Sequence, residues 1–266
     1  MTITAPERHR LRRAALVAGA LVVCAGLCVT VVSRLSADRS HTSLPPPPPS
    51  ALAFARPTPL TSDSHLARWA PVDAVATARR APDPRAPPVA RINTRTPEHT
   101  RNIVQLLGRA RERSGRLWVH VRLAIVPNGA TGWVPRRALG GYVFVHTRLV
   151  IDRRRLQALL FRDGRVISRA KVGIGKRAWP TPRGQFYVRN RLTSYRSPAY
   201  GPLAFGLSAR SPVLTDWPAG GYVGIHGTDQ PELLPGRVSH GCIRMANRDI
   251  LRLGRLMPVG TPVTVR

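Results

Sequence analysis

The sequence predicts a mostly β protein in two folded regions, with one short helix near its C-terminus. Two observations carry this. From about residue 66 onward, apolar residues gather in short runs rich in Val, Ile, Leu and aromatics, broken by Gly, Pro, Asn and Asp. Only Asn247 to Leu256 shows a helical period, with Ile250, Leu251, Leu253 and Leu256 on one side. Before residue 66 the chain has a different character, a basic stretch, an apolar run and a proline-rich stretch, which are not patterned to build a core.

Residues 1–13 form a basic tail carrying Arg8, Arg10, Arg12 and Arg13. Residues 14–32 (AALVAGALVVCAGLCVTVV) are an apolar or small-residue run of 19 residues, close to the length that crosses a hydrocarbon core. With the basic flank held inside, this predicts a single-pass anchor that puts the rest of the chain on the extracytoplasmic face. The alternative is a cleaved signal peptide ending near Val23-Cys24-Ala25, after which the chain is secreted. A lipid-modified cysteine fits less well, because Val23 and Leu27 stand where small residues are wanted. Residues 33–65 contain the Pro45–Pro49 run and read as a stiff spacer that lifts the folded part away from the bilayer.

The 266 residues carry 42 Lys+Arg against 13 Asp+Glu, a formal net charge of +29. Nearly all of it is Arg, spread along the chain rather than gathered into a stripe with interleaved aromatics. That argues against nucleic acid and for a partner with a diffuse anionic surface. An apolar fraction of 43% excludes wholesale disorder. Two of the three cysteines, Cys24 and Cys28, sit in the apolar run, so Cys242 is the one thiol of the folded part. Outside the cytoplasm such a thiol is either buried and inert or kept as a reactive thiolate.

Residues 66–140 supply runs at Val89–Ile92, Ile103–Leu107, Leu117–Leu123 and Gly132–Val134, with Pro127-Asn128-Gly129 as a hairpin turn. A Trp-bearing strand, a turn and a Gly-Trp-Val strand resemble the ending of a bacterial SH3-like small barrel. Trp118 and Trp133 then fill a small core or line a groove that grips a ligand.

Residues 141–266 read as β again. The runs are Tyr142–Val145, Leu149–Asp152, Leu156–Phe161, Val166–Ile167, Ala170–Ile174, Gln185–Val188, Tyr222–Ile225 and Val263–Val265. Asp163-Gly164 makes a tight hairpin turn. The helix begins near Ala246 or Asn247 and is stopped by Pro258.

The chemistry-bearing stretch is His226-Gly227-Thr228, then Ser239-His240-Gly241-Cys242-Ile243-Arg244-Met245, with twelve residues between His226 and Ser239. A cysteine nucleophile needs a base or positive charge, donors aimed at the developing oxyanion, and a group that orients the base. This segment holds a His at a strand end, a Gly before the Cys that lets backbone N–H groups approach a substrate, and an Arg suited to a carboxylate. Alternatives remain at this stage. A strand His is often structural, a lone Cys is often a small buried hydrophobe, and His226, His240 and Cys242 could form three ligands of a zinc site that lacks a fourth.

The string from His226 to Met245 resembles the signature of the L,D-transpeptidase catalytic domain of the YkuD type. Pro180-Thr181-Pro182-Arg183-Gly184-Gln185-Phe186 is similar to the Thr-Pro-x-Gly-x-Phe segment of that family, and the similarity spans about Gly141 to Arg266. The resemblance implies a β-rich catalytic domain with a short helix after the Cys motif. It makes Cys242 the nucleophile, His226 the proton donor and acceptor, the Gly227 carbonyl the group that orients His226, and backbone N–H groups at Gly241 and Cys242 the oxyanion hole. Ser239, His240 and Arg244 would line the substrate site. Some members have Asn where this chain has Arg244, which bears on the acceptor rather than on the chemistry. The implied substrate is a peptidoglycan stem tetrapeptide, the product a 3→3 cross-link formed through a Cys thioester, and carbapenem β-lactams are expected to trap the thiol. No metal or organic cofactor is implied. The alternatives are an L,D-carboxypeptidase that uses water as acceptor and a non-catalytic wall-binding protein. The expected location is the extracytoplasmic face of a bacterial cell membrane.

Overall fold

The computed structural model describes residues 57–60, 66–193, 197–214 and 221–266. The basic tail, the apolar run 14–32 and most of the segment 33–65 lie outside the described residues. Among the described residues, no helix is long and apolar enough to cross a membrane.

The first sheet has eight strands: β1 (Thr58–Pro59), β2 (Ala67–Pro71), β3 (Ala76–Arg79), β4 (Pro88–Ile92), β5 (Ile103–Arg111), β6 (Leu117–Arg122), β7 (Thr131–Pro135) and β8 (Val143–Val145). They run in the order β4-β3-β7-β6-β5-β2-β8, with β1 paired to β5 beside that path. All pairs are antiparallel, and the short connections between β3 and β4, β5 and β6, and β6 and β7 allow no other pairing there. The period of two in β6 sorts its side chains. Val119 and Val121 join Val104, Leu106 and Val134 in the main apolar core, while Trp118 faces the other way and packs with Ala110 and Trp133. Trp118 Nε1 donates to Glu112 Oε2 at 2.9 Å, and His120 stacks on Trp133 with ring centroids 4.8 Å apart. Both tryptophans are buried. Val143–Val145, read above as the lead into the second region, instead pairs with β2 at the edge of the first sheet.

The second sheet has ten strands: β9 (Thr147–Asp152), β10 (Gln157–Arg162), β11 (Arg165–Lys171), β12 (Gly173–Gly175), β13 (Gly184–Leu192), β14 (Ala204–Arg210), β15 (Tyr222–His226), β16 (Gly236–Ser239), β17 (Ile243–Arg244) and β18 (Pro262–Val265). Their order is β11-β10-β9-β18-β13-β14-β15-β17-β12-β16. Helix α1 (Asn247–Leu256) buries Ile250 and Leu253 against the core made by Leu149, Ile151, Phe205, Leu207, Ile225 and Ile243. The Asp163-Gly164 hairpin joins β10 to β11, with both residues in the left-handed region. The strand β14 (AFGLSAR) has no alternation to detect, because its first six residues are all buried.

The two sheets meet along β13, β14 and β15. Tyr187 donates its hydroxyl to the Ile103 carbonyl at 3.0 Å, and Asn128, at the tip of the Pro127-Asn128-Gly129 turn, bonds both the N–H and the carbonyl of Arg210 at 2.9 and 2.7 Å. Trp69 covers Gly260, where a Cβ would come within 1.9 Å of the indole and where φ is +85°. That approach is possible only for glycine.

Candidate active site

The parallel pairing of β15 with β17 builds the site. Its register sets Ile225 opposite Ile243 and His226 opposite Arg244, so Cys242, just before β17, falls beside Gly224. Alternation along β15 sends Val223 and Ile225 into the core and leaves Tyr222, Gly224 and His226 on the other face. Gly224 has no side chain to fill the space, and its N–H donates to Cys242 Sγ at 3.4 Å. Tyr222, His226, Ser239, His240, Cys242 and Arg244 all line one pocket of about 290 Å³.

His226 is buried. Its Nδ1 bonds the Gly227 carbonyl at 2.6 Å, which assigns the proton to Nδ1 and leaves Nε2 as the acceptor. Its own carbonyl accepts from the Met245 N–H at 2.9 Å, and the Tyr200 ring packs on it with centroids 4.6 Å apart. Burial pushes the imidazole down to about 4, with the Gly227 hydrogen bond opposing and the Arg244 charge adding to the shift. Burial likewise pushes the Cys242 thiol up, against the Gly224 N–H and the Arg244 charge. Both partners therefore rest neutral at neutral pH. Of the two states weighed above for Cys242, this favours the buried thiol over a resting thiolate, because desolvation outweighs the nearby positive charge.

The Gly227 position tolerates no side chain, since a Cβ there would meet Asn247 Oδ1 at 2.3 Å and Gly201 Cα at 3.1 Å. Asn247 Oδ1 accepts the Thr228 N–H at 2.9 Å, so the first residue of α1 spends its side chain on the His226 loop, and the helix has no side-chain cap.

The Cys loop is tied at consecutive peptide groups. Ser239 Oγ accepts the Gly241 N–H at 3.1 Å and donates to the Cys242 carbonyl at 2.6 Å. Gly241 sits at φ +119°, a conformation that strains any L side chain. Its N–H, expected above to serve an oxyanion, is committed to Ser239 instead. Thr181 Oγ1 donates to the Gly241 carbonyl at 2.8 Å and accepts the Gly175 N–H at 2.9 Å. Because a trans peptide points its C=O and N–H in opposite directions, pinning that carbonyl fixes the aim of the Cys242 N–H. His240 is exposed at the mouth and packs on Trp179 with centroids 4.4 Å apart. Arg244 has a buried Nε without a hydrogen-bond partner and a 3.4 Å contact from a terminal nitrogen to Gln230 Oε1.

All seven residues singled out from the sequence thus gather at this pocket or its loop. Among the described residues, no group of three His, Cys, Asp or Glu side chains could hold a metal ion. Sequence reasoning missed Thr181 as a loop anchor, Asn247 as a tie to the His226 loop, and Tyr200 and Tyr222 as pocket walls. The period-two relation of Tyr222 to Gly224 and His226 could have identified the last.

The L,D-transpeptidase catalytic domain family matches residues 146–265. YkuD of Bacillus licheniformis, named provisionally as an L,D-transpeptidase, is 35% identical over 106 residues, covering 40% of this chain and 57% of that protein. YqjB of Bacillus subtilis, named in the same provisional way, is 31% identical over 128 residues, covering 44% of this chain and 69% of that protein. A solved structure, the L,D-transpeptidase of Enterococcus faecium, is 29% identical with a TM-score of 0.36, covering 45% of this chain and 49% of that one. The chain spans just over half the length of the two YkuD relatives it matches, at 57% and 56%. The paired His226 and Cys242 segments fall inside the matched region, and the chain belongs to the YkuD-type L,D-transpeptidase catalytic domain family.

Proposed function

We propose that the protein is an envelope L,D-transpeptidase that forms 3→3 cross-links between peptidoglycan stem peptides through a Cys242 thioester. The observation that carries this is the register of β15 and β17, which sets Cys242 Sγ on the Gly224 N–H on the same strand face as an imidazole whose Nδ1 is held by a backbone carbonyl. A backbone carbonyl does here what a carboxylate does in a Ser-His-Asp triad. It fixes the tautomer without adding negative charge.

In this reading the neutral Cys242 thiol attacks the carbonyl of the L,D bond, and His226 Nε2 takes the thiol proton as the C–S bond forms. The Cys242 N–H, aimed by Thr181 through the Gly241 carbonyl, donates to the oxyanion. On collapse the C–N bond breaks, and the departing amine of the terminal D-residue takes the proton back from His226. The amine of a second stem then attacks the thioester, His226 removes its proton, and the thiolate leaves as the protonated thiol. Arg244, whose buried Nε has no partner, would hold a stem carboxylate. Residues 14–32 would anchor the protein and 33–65 carry it outward. The first sheet would serve as an SH3-like module on the wall side, where the net charge of +29 suits an anionic surface.

The test is incubation of the full-length protein with disaccharide tetrapeptide, followed by mass spectrometry of the products. Cross-linked dimers that vanish with Cys242→Ala support the reading. Tripeptide without dimer would make the protein an L,D-carboxypeptidase, and wall binding without turnover would make it a binding protein.

A further inference from the structure

The reaction uses one face of β15 and gives no reason for the buried charge that joins this strand to the first sheet. Arg189, on β13, is only 2% exposed, and its guanidinium donates to Glu98 Oε1 at 2.7 Å. Glu98 belongs to the loop between β4 and β5 of the first sheet. Its other oxygen accepts from Asn190 Nδ2 at 3.1 Å, and Asn190 Oδ1 accepts the Gly206 N–H at 3.1 Å. A Cβ at Gly206 would meet that Oδ1 at 2.2 Å, so this joint has no slack.

The same guanidinium lies over Tyr222, with Cζ 3.7 Å from the ring centroid, and Arg210 Cζ stands 5.0 Å from it. The Tyr222 hydroxyl donates to the Ala124 carbonyl, in the loop after β6, at 3.0 Å. Tyr222 is thus held at its ring by Arg189 and at its tip by the first sheet, while it lines the pocket that contains His226 and Cys242. A guanidinium is planar with its donors in a fixed fork, so the carboxylate that holds one terminal nitrogen restricts where the plane offered to the ring can lie.

We propose that Glu98 is a positioning residue: acting through Arg189, it fixes the Tyr222 wall of the catalytic pocket, so the first sheet sets how a stem peptide seats. The inference deepens the transpeptidase reading and rests on it for the identity of the peptide. Without the carboxylate, Arg189 remains buried without its counter-charge and turns toward other acceptors, and the ring loses the surface that holds it.

The test uses full-length protein with isotope-labelled tyrosine. The chain has five tyrosines, and the Tyr222 ring resonance is the one lost in Tyr222→Phe. Glu98→Gln should move or broaden that resonance while leaving Tyr142 in place. It should raise KM for the donor about fivefold with kcat within about twofold, and add nothing to KM in a Tyr222→Ala background. Arg189→Lys keeps the ion pair but loses the planar face. It should move the same resonance, and it carries the test if Glu98→Gln does not fold. An unmoved Tyr222 resonance in the folded variants, or an equal rise in KM without the Tyr222 ring, overturns the proposal. If the wild-type protein turns over no stem peptide while the resonance shifts as expected, the reaction reading fails and the positioning of the wall stands.

Discussion

Two pairs of largely desolvated ionisable groups sit in different parts of the fold, His226 with Cys242 at the pocket and Arg189 of β13 with Glu98 of the loop between β4 and β5, and the fold treats them in opposite ways. His226 and Cys242 are desolvated with one positive charge nearby and rest neutral, the imidazole pushed down to about 4 and the thiol pushed up. Glu98 and Arg189 are joined at 2.7 Å. Burial pushes the Glu98 carboxyl up, but the Arg189 charge, its own backbone N–H and Thr96 outweigh that and hold it below its ordinary value. The difference lies in the partners. A carboxylate facing a guanidinium keeps its charge in a dry place, whereas a thiol facing an imidazole and an arginine does better without it. The seam is therefore built to stay charged and rigid, and the pocket to hold protons that can move.

The sharpest way to break the pocket half of this comparison is to remove its acceptors. Cys242→Ala should abolish acylation outright, and His226→Gln should slow it by roughly 10²–10⁴, read by the rate of adduct formation with a carbapenem. Thr181→Val removes no group that touches substrate, yet it frees the Gly241 carbonyl. Its kcat should fall roughly tenfold to a hundredfold, less than deleting an oxyanion donor, with KM little changed and Thr181→Ser restoring most of the rate.

The seam half breaks through stability. Glu98→Gln leaves Arg189 buried without its counter-charge and should cost on the order of 3 kcal/mol in denaturant unfolding, with part of the loss recovered when Arg189→Met is added. Acid should expose the same pair. The folded value of Glu98 lies below 4.5, so its contribution is present above that pH and is lost as pH falls through the folded value. His226 works in a higher window. Its folded value near 4 is below its ordinary 6.5, so the unfolded chain takes up the proton first and stability declines as pH drops from 6.5 toward 4. His226→Gln should flatten the upper part of that slope, and Glu98→Gln the lower.

The subtlest test is the pH profile of acylation. With His226 as neutral base, the second-order rate should rise as pH climbs through about 4 and be level by 6.5, whereas an imidazole at its ordinary value would place the midpoint at 6.5.

How much of this was legible in the sequence varies by region for physical reasons. The strand β6 declared itself by the alternation of Val119-His120-Val121-Arg122, and α1 by its single apolar side. The strand β14 did not, because burial on both faces erases the period, and the two-residue β17 is too short to carry one. The catalytic residues were readable because backbone pairing delivers them almost directly. Once β15 and β17 lie parallel, His226 and Cys242 are near each other in any faithful fold. Thr181 and Glu98 were not readable as part of the site, because their partners, Gly241 and Arg189, lie 60 and 91 residues away. Such contacts are set by how the sheets curve and meet, not by local pattern. Which of the two states weighed for Cys242 applies could not be read from the sequence, because desolvation is a property of the assembled pocket.

The central claim is that the thiol of Cys242, served by a neutral His226, is where the acyl group is carried. Its most direct test is the intact mass of the full-length protein after carbapenem treatment at neutral pH, with the modified residue located by peptide mapping. One adduct per chain on Cys242, absent in Cys242→Ala and greatly slowed in His226→Gln, is the predicted result. An adduct elsewhere, or one formed at the wild-type rate without His226, would contradict it.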